Sequence, residues 1–258
     1  MKGEKHRIFP VHYDPGKVLF HVIVKLSDAP GSYSSVLDLI RTKVNLIGTS
    51  TYTLSDGTAI FSGFAEALSP KETAEKIRRL ILRSNAAIDA DVREGKDGLL
   101  IDTFHTGFAV DSADYVLMRR GGLAHVFIHI SKLLGSGGEA LLYDEGLTMG
   151  KWEAETLAKR FGSERVKNQA GALTGFMTAQ GWGEVDGKAG PAKGEMTVIV
   201  SDCFECSMEN SPRKGCNFMR GYFAGASNAI FGHEYGSKET KCVLRGAKTC
   251  EFLLTPAK

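Results

Sequence analysis

Residues 216–250 read CNFMRGYFAGASNAIFGHEYGSKETKCVLRGAKTC, and this stretch gathers three of the chain's five cysteines around Glu239. Its first half, from Cys216 to about Phe231, has a helical pattern in which Gly221, Gly225 and Ala229 recur at i+4 positions. Its second half reads as one arm of a hairpin, Tyr235–Arg245, turning near Gly246 into Lys248–Thr255. Cys216 then opens a helix, while Cys242 and Cys250 stand on paired strands that can bring them together. Glu239 and Cys242 are three residues apart and point to opposite faces of a regular strand, so both reach one ion only if the chain bends between them. Three thiolates and a carboxylate make a closed tetrahedral set suited to zinc, with no position left for water. The alternative is that the thiols are buried separately as small hydrophobes.

The remaining pair, Cys203 and Cys206, forms a CxxC motif. Glu195–Ser207 reads as one strand with Val198, Val200, Phe204 and Cys206 in alternation, which sends the two sulfurs to opposite faces. A redox role requires the motif at a helix N-terminus, and no helix start is visible there.

Upstream, two helical stretches near Ser112–Leu134 and Gly138–Phe161 flank Gly135-Ser136-Gly137-Gly138, a turn that lacks the Lys-Ser/Thr of a phosphate loop. Gly146, Gly150, Ala154 and Ala158 fall at successive i+4 positions. Glycine inside a helix costs about 1 kcal/mol against alanine, so this row points to close helix packing, in a core or between two copies of the chain. Phe161-Gly162-Ser163 is a helix stop and N-cap, Val166–Met177 a further helix, Trp182–Val185 the start of a strand, and Asp186–Gly194 a loop.

The N-terminal part alternates differently. Val18, Phe20, Val22, Val24 and Leu26 line one face of a half-buried strand whose other face carries Leu19, His21, Ile23 and Lys25. Val36, Leu37, Ile40 and Val44 follow at helical spacing. Thr49–Leu54 and Thr58–Phe64 form a hairpin across Asp56-Gly57. Ser69-Pro70-Lys71-Glu72 reads as a capping box for a helix burying Ala74, Ile77, Leu80 and Ile81. Ile88, Ala90 and Val92 begin the last strand, and Leu99–Phe104 is one more candidate. The β-α-β-β-α-β order predicts two helices on one face of an antiparallel sheet.

With 32 basic and 30 acidic side chains and 43% hydrophobic residues, the chain has a globular composition without the concentrated charge of a nucleic-acid binder. No apolar run follows the basic MKGEKHR, and none is long enough to cross a bilayer. The expected location is the cytoplasm, where an odd number of cysteines argues for free, reactive or metal-bound thiols. No GxGxxG follows a strand, and no motif places a nucleophile or carboxylate beside His105, His125 or His129.

Two resemblances sharpen this reading. Residues 17–93, with Asp28-Ala29-Pro30-Gly31-Ser32-Tyr33 at the first strand-to-helix junction, resemble an ACT-type regulatory domain. That resemblance implies a ferredoxin-like fold in which Pro30 and Gly31 approach an amino-acid-like effector; a plain dimerisation module is the alternative. From about Tyr115 to Leu254 the chain resembles the 4-vinyl reductase domain family. The residues that carry it are Leu142-Tyr143-Asp144-Glu145-Gly146 with Gly150, Gly181-Trp182-Gly183, Cys216-x4-Gly221-Tyr222-x2-Gly225, and Glu239-x2-Cys242-x7-Cys250-x-Phe252. Matching positions in its phenol-sensing members hold zinc, which implies Cys216, Glu239, Cys242 and Cys250 as ligands here and assigns no role to Cys203 or Cys206. The family also implies a hydrophobic small-molecule pocket, with Trp182, Phe176 and Met177 as its candidates. Leu173–Gly181 lacks the histidine with which the phenol sensors grip a hydroxyl, so a more apolar ligand is expected. The expectation is therefore an α+β protein. Residues 1–105 form an ACT-like regulatory domain, and residues 106–258 form a 4-vinyl reductase-type domain with helices packed on an antiparallel sheet. It acts as a zinc-containing sensor, more plausibly a homodimer than a monomer and not an enzyme. A tetrapyrrole reductase role and a scaffold module are the rival readings.

Overall fold

The computed structural model describes residue 8 and residues 10–110, 113–162, 170–207, 213 and 215–257. The chain divides after Tyr115 into two compact units, both of mixed α and β structure with antiparallel sheets.

In the first unit, β1 is Val11–Tyr13, β2 Leu19–Ser27, α1 Ser32–Ile40, β3 Val44–Thr53, β4 Thr58–Ala67, α2 Ala74–Ile81, β5 Ala87–Glu94 and β6 Leu99–Ile101. The four longer strands form one antiparallel sheet in the order β3-β4-β2-β5, as the alternating pattern predicts. Phe20, Val22, Val24 and Leu26 of β2 are buried against Val36 and Ile40 of α1 and Ile77 and Ile81 of α2. The second face of β2 is not half-buried as expected. Leu19, His21 and Ile23 are 1%, 0% and 3% exposed. The two-stranded ribbon β1-β6 supplies part of the reason, because Leu100 packs on Leu19 and Phe64.

Three local expectations change. Val44 does not extend the first helix; it opens β3 opposite Ala67, where a β-branched side chain fits the pleat. The capping box fails, because Ser69 Oγ accepts from the nearby Lys71 amide. Thr73 caps α2 instead, its hydroxyl oxygen accepting from Lys76 N at 3.3 Å. Leu99–Phe104 shortens to β6, ended by Asp102, whose Oδ1 accepts from the amides of Phe104 and His105. Beyond it, Phe108–Val110 (β7) and Ala113–Tyr115 (β8) pair as a hairpin where the sequence suggested a helix; Ser112, its expected start, lies outside the described residues.

The second unit contains α3 Arg120–Leu134, α4 Ser136–Phe161, α5 Ala170–Ala179, β9 Glu184–Ala189, β10 Met196–Ser201, α6 Asn217–Phe231, β11 Tyr235–Lys241 and β12 Cys250–Pro256. Ser163 and Val166, the expected cap and start of α5, lie outside the described residues. The sheet order is β11-β12-β10-β9, and β9 takes up half of the expected 186–194 loop. The glycine rows of α4 and α6 face each other. A Cβ at Gly146 or Gly150 would overlap the carbonyl of Phe218 or Tyr222, and one at Gly221 or Gly225 that of Tyr143 or Leu147. These faces are spent within one chain, so they do not serve contact between copies. Among the described residues no helix is long and apolar enough to cross a membrane.

Candidate metal centre

The expected strand over 195–207 stops at Ser201. Asp202 takes φ 50°, and Phe204–Cys206 coil into a single 3₁₀ turn closed by Cys206 N donating to Cys203 O at 3.1 Å. This turn overturns the reasoning that kept Cys203 and Cys206 apart. Both sulfurs now face one point. A second turn, Val243–Arg245, follows β11, and the amides of Arg245 and Ala247 donate to Cys242 O. Between Glu239 and Lys241 the β11–β12 register shifts by one residue. That bulge supplies the bend on which the sequence argument depended, and it lets Glu239 and Cys242 approach the same place. Cys216 sits at the N-cap of α6, where helix amides favour a thiolate.

All five cysteines converge as a result. Cys216 Sγ lies 3.9 Å from Cys242, 3.6 Å from Cys250, 3.0 Å from Cys206 and 3.9 Å from Cys203. Cys206 Sγ is 3.5 Å from Cys250 and 3.8 Å from Cys242. Cys216, Glu239, Cys242 and Cys250 offer ligand atoms all within 4.8 Å of one another, and so do Cys203, Cys206, Cys216 and Cys250. Sulfurs bound to a tetrahedral zinc at about 2.3 Å stand about 3.8 Å apart, so the observed spacings match the edges of such a polyhedron. The donor set therefore fits a thiophilic divalent cation. Contact with Cys203, followed by the other sulfurs, pushes the Cys216 thiol up and holds Cys250 down. Bare thiols this crowded cannot all ionise together; a cation at their centre removes the conflict.

The surroundings are built to hold this arrangement. Val243 N donates to Cys250 Sγ at 3.5 Å. Glu239 accepts from Cys216 N at 3.2 Å and from Arg245 Nη1 at 3.1 Å. Glu205, inside the CxxC motif, is fully buried; its two oxygens accept from the Phe218 and Met219 amides at the start of α6 and it pairs with the buried Arg213. Burial pushes the Glu205 carboxyl up, and Arg213 and the amides oppose that shift.

The pocket candidates lie close to this frame. Trp182 stacks within 4.8 Å of Tyr222 and 5.2 Å of Phe204, and Phe218 and Phe127 continue the cluster. Met177 is fully buried and Phe176 half-buried. Sequence reasoning missed Glu153, whose buried carboxylate accepts from Tyr222 Oη at 2.7 Å and Gln180 Nε2 at 3.1 Å beside those rings. Its place at i+3 from Gly150 on the face of α4 toward α6 is the only sequence signal for it. Pro30 and Gly31 are exposed, and Gly31 takes φ 88° at the N-cap of α1, which gives glycine a backbone reason there. In the first unit His105 does have a carboxylate partner, Asp102, at 2.6 Å. His21 lies nearby, and burial holds it below the ordinary imidazole pKa. His125 meets only the Gly121 carbonyl, at 3.3 Å, and His129 is exposed.

Residues 196–256 match the 4-vinyl reductase domain family. The matched segment runs from β10 to β12 and includes all five cysteines and Glu239. An uncharacterized protein of Methanocaldococcus jannaschii is 27% identical over 129 residues, covering 46% of this chain and 66% of that protein, just under two thirds of its length. Among solved structures, the phenol-responsive sensory domain of the transcription activator PoxR with phenol is 15% identical at a TM-score of 0.47, covering 88% of this chain and 91% of that one. A vinyl-4-reductase family protein from Methanocaldococcus jannaschii is 20% identical at a TM-score of 0.39, covering 57% and 85%.

Proposed function

We propose that the second unit is a zinc-stabilised, small-molecule-binding regulatory module, and that the first is an ACT-like regulatory domain spanning residues 1–105 ahead of it. The observation that carries the reading is the convergence of five cysteines from three separate segments on one point at the N-terminus of α6. Cys216, Cys242 and Cys250 supply three thiolates, and Glu239 and Cys206 compete for the fourth position. Such a closed site is structural: it activates no water and carries no electrons. Its effect is to tie the CxxC turn, α6 and the β11–β12 hairpin together. The matched 4-vinyl reductase domain and the aromatic wall of Trp182, Phe176 and Met177, with Glu153 as its polar end, support a hydrophobic ligand beside the metal. An amino-acid-like effector at Pro30 and Gly31, a homodimer and a cytoplasmic setting belong to the same reading.

The contact of Trp182 with Phe204 and Tyr222 favours a second reading, an interaction module whose core binds nothing. Native mass spectrometry of the purified full chain separates the two. The sensor reading expects one zinc per chain and a co-purified apolar ligand, in a dimer. A metal-bearing chain that takes up no apolar compound from a broad panel supports the module instead.

A further inference from the structure

His21 sits in the middle of β2, on the sheet face opposite the helices, and is wholly excluded from water. A polar ring there is costly unless both nitrogens are satisfied. Nε2 meets Ser62 Oγ at 2.8 Å, but Nδ1 has no hydrogen-bond partner. It faces Asp102 Oδ1 at 3.8 Å, beyond hydrogen-bond range. The other Asp102 oxygen meets His105 Nδ1 at 2.6 Å, and His105 Nε2 meets Tyr52 Oη at 3.0 Å. Each imidazole is thus held through Nε2 by a hydroxyl, and both Nδ1 atoms turn to the same carboxylate.

We infer that His21, Asp102 and His105 form a second metal site, for a first-row divalent cation of nitrogen and oxygen preference. Their ligand atoms all lie within 4.8 Å of one another. Nitrogen and oxygen ligands on a tetrahedral ion at about 2.1 Å stand about 3.4 Å apart, so the 3.8 Å gap at His21 closes around a cation that neither group can bridge alone. The outer hydroxyls supply what metal-bound histidines require, a fixed tautomer with Nε2–H donated outward. Binding displaces the proton shared between His105 and Asp102 to solvent and leaves the Ser62 and Tyr52 bonds intact. Arg93, the nearby cation, is taken up by Asp91 at 2.7 Å and Thr103 at 2.8 Å. With three protein ligands the fourth position stays open. It faces the exposed side of His105, which also lines a cavity of about 580 Å³ with Phe104, Phe108 and Tyr115. The two sites differ in kind: one is closed and thiolate-rich, the other open and imidazole-carboxylate.

The test is a cobalt(II) titration of the zinc-loaded full chain, read by native mass spectrometry and visible absorption. The expected result is one cobalt per chain without thiolate charge-transfer bands. It binds at least about 100-fold more weakly in His105→Gln and Asp102→Asn, and about tenfold more weakly in Tyr52→Phe, which removes only the outer hydroxyl. The three substitutions lie outside the cysteine cluster, and the zinc content stays at the wild-type level. The inference is overturned if wild type takes up no cobalt of this spectral type, or if His105→Gln and Asp102→Asn bind it as wild type does.

Discussion

Cys206 reaches the cluster because Asp202, in the left-handed region at φ 50°, stops β10 and turns the next residues into a knuckle. Glu205, in the same turn, then points the other way and caps α6 with both oxygens. Glu205→Ala takes the carboxylate from a fully buried guanidinium and is expected to cost about 3–5 kcal/mol in urea unfolding, while Glu205→Met with Arg213→Met recovers most of that loss. The fourth metal donor is also settled at this scale. If Cys206 is the ligand, Cys206→Ser lowers zinc affinity sharply and Glu239→Gln changes it only about tenfold, as for an outer partner; the reverse ranking assigns the position to Glu239. Cys216, Glu239, Cys242 and Cys250 were legible as a set because spacing and residue type carry that information. Cys203 and Cys206 were not, because Val198, Val200, Phe204 and Cys206 keep strand alternation through the turn, and a period of two does not record one residue of positive φ.

The α4–α6 crossing shows what a helix can encode in its small residues. Gly150 and Gly221 face backbone carbonyls that cannot retreat, so Gly150→Ala and Gly221→Ala are each expected to destabilise the second unit by about 1–3 kcal/mol or more, measured by thermal unfolding. A Cβ at Gly175 of α5 would meet nothing within 4 Å, and Gly175→Ala should instead stabilise by up to about 1 kcal/mol. The i+4 repeat made the packing visible in the sequence but not the partner, since a row of small residues fits a neighbouring helix or a second copy equally well. Elements with strong periodicity, such as β2, β4, α4 and α6, were readable from residue pattern alone. The short β7–β8 hairpin and the start of α2 were not. Three-residue strands carry almost no periodicity, and Ser69 and Thr73 offer equivalent caps four residues apart.

Across the molecule, both tryptophans, Trp152 and Trp182, lie in the second unit, so their fluorescence follows that unit alone. If the cysteine centre is structural, stripping zinc with a strong chelator lowers the tryptophan-monitored unfolding midpoint. The Phe20–Val24 core and the rest of the first unit keep their circular dichroism. Equal loss in both units contradicts a metal role confined to the 4-vinyl reductase segment. The most direct measurement of the central claim is zinc-edge X-ray absorption on the purified full chain. Three or four sulfur neighbours at about 2.3 Å are predicted, and they disappear in Cys242→Ser with Cys250→Ser. A first shell made only of nitrogen and oxygen, or protein that carries no zinc with all five thiols open to alkylation, contradicts it.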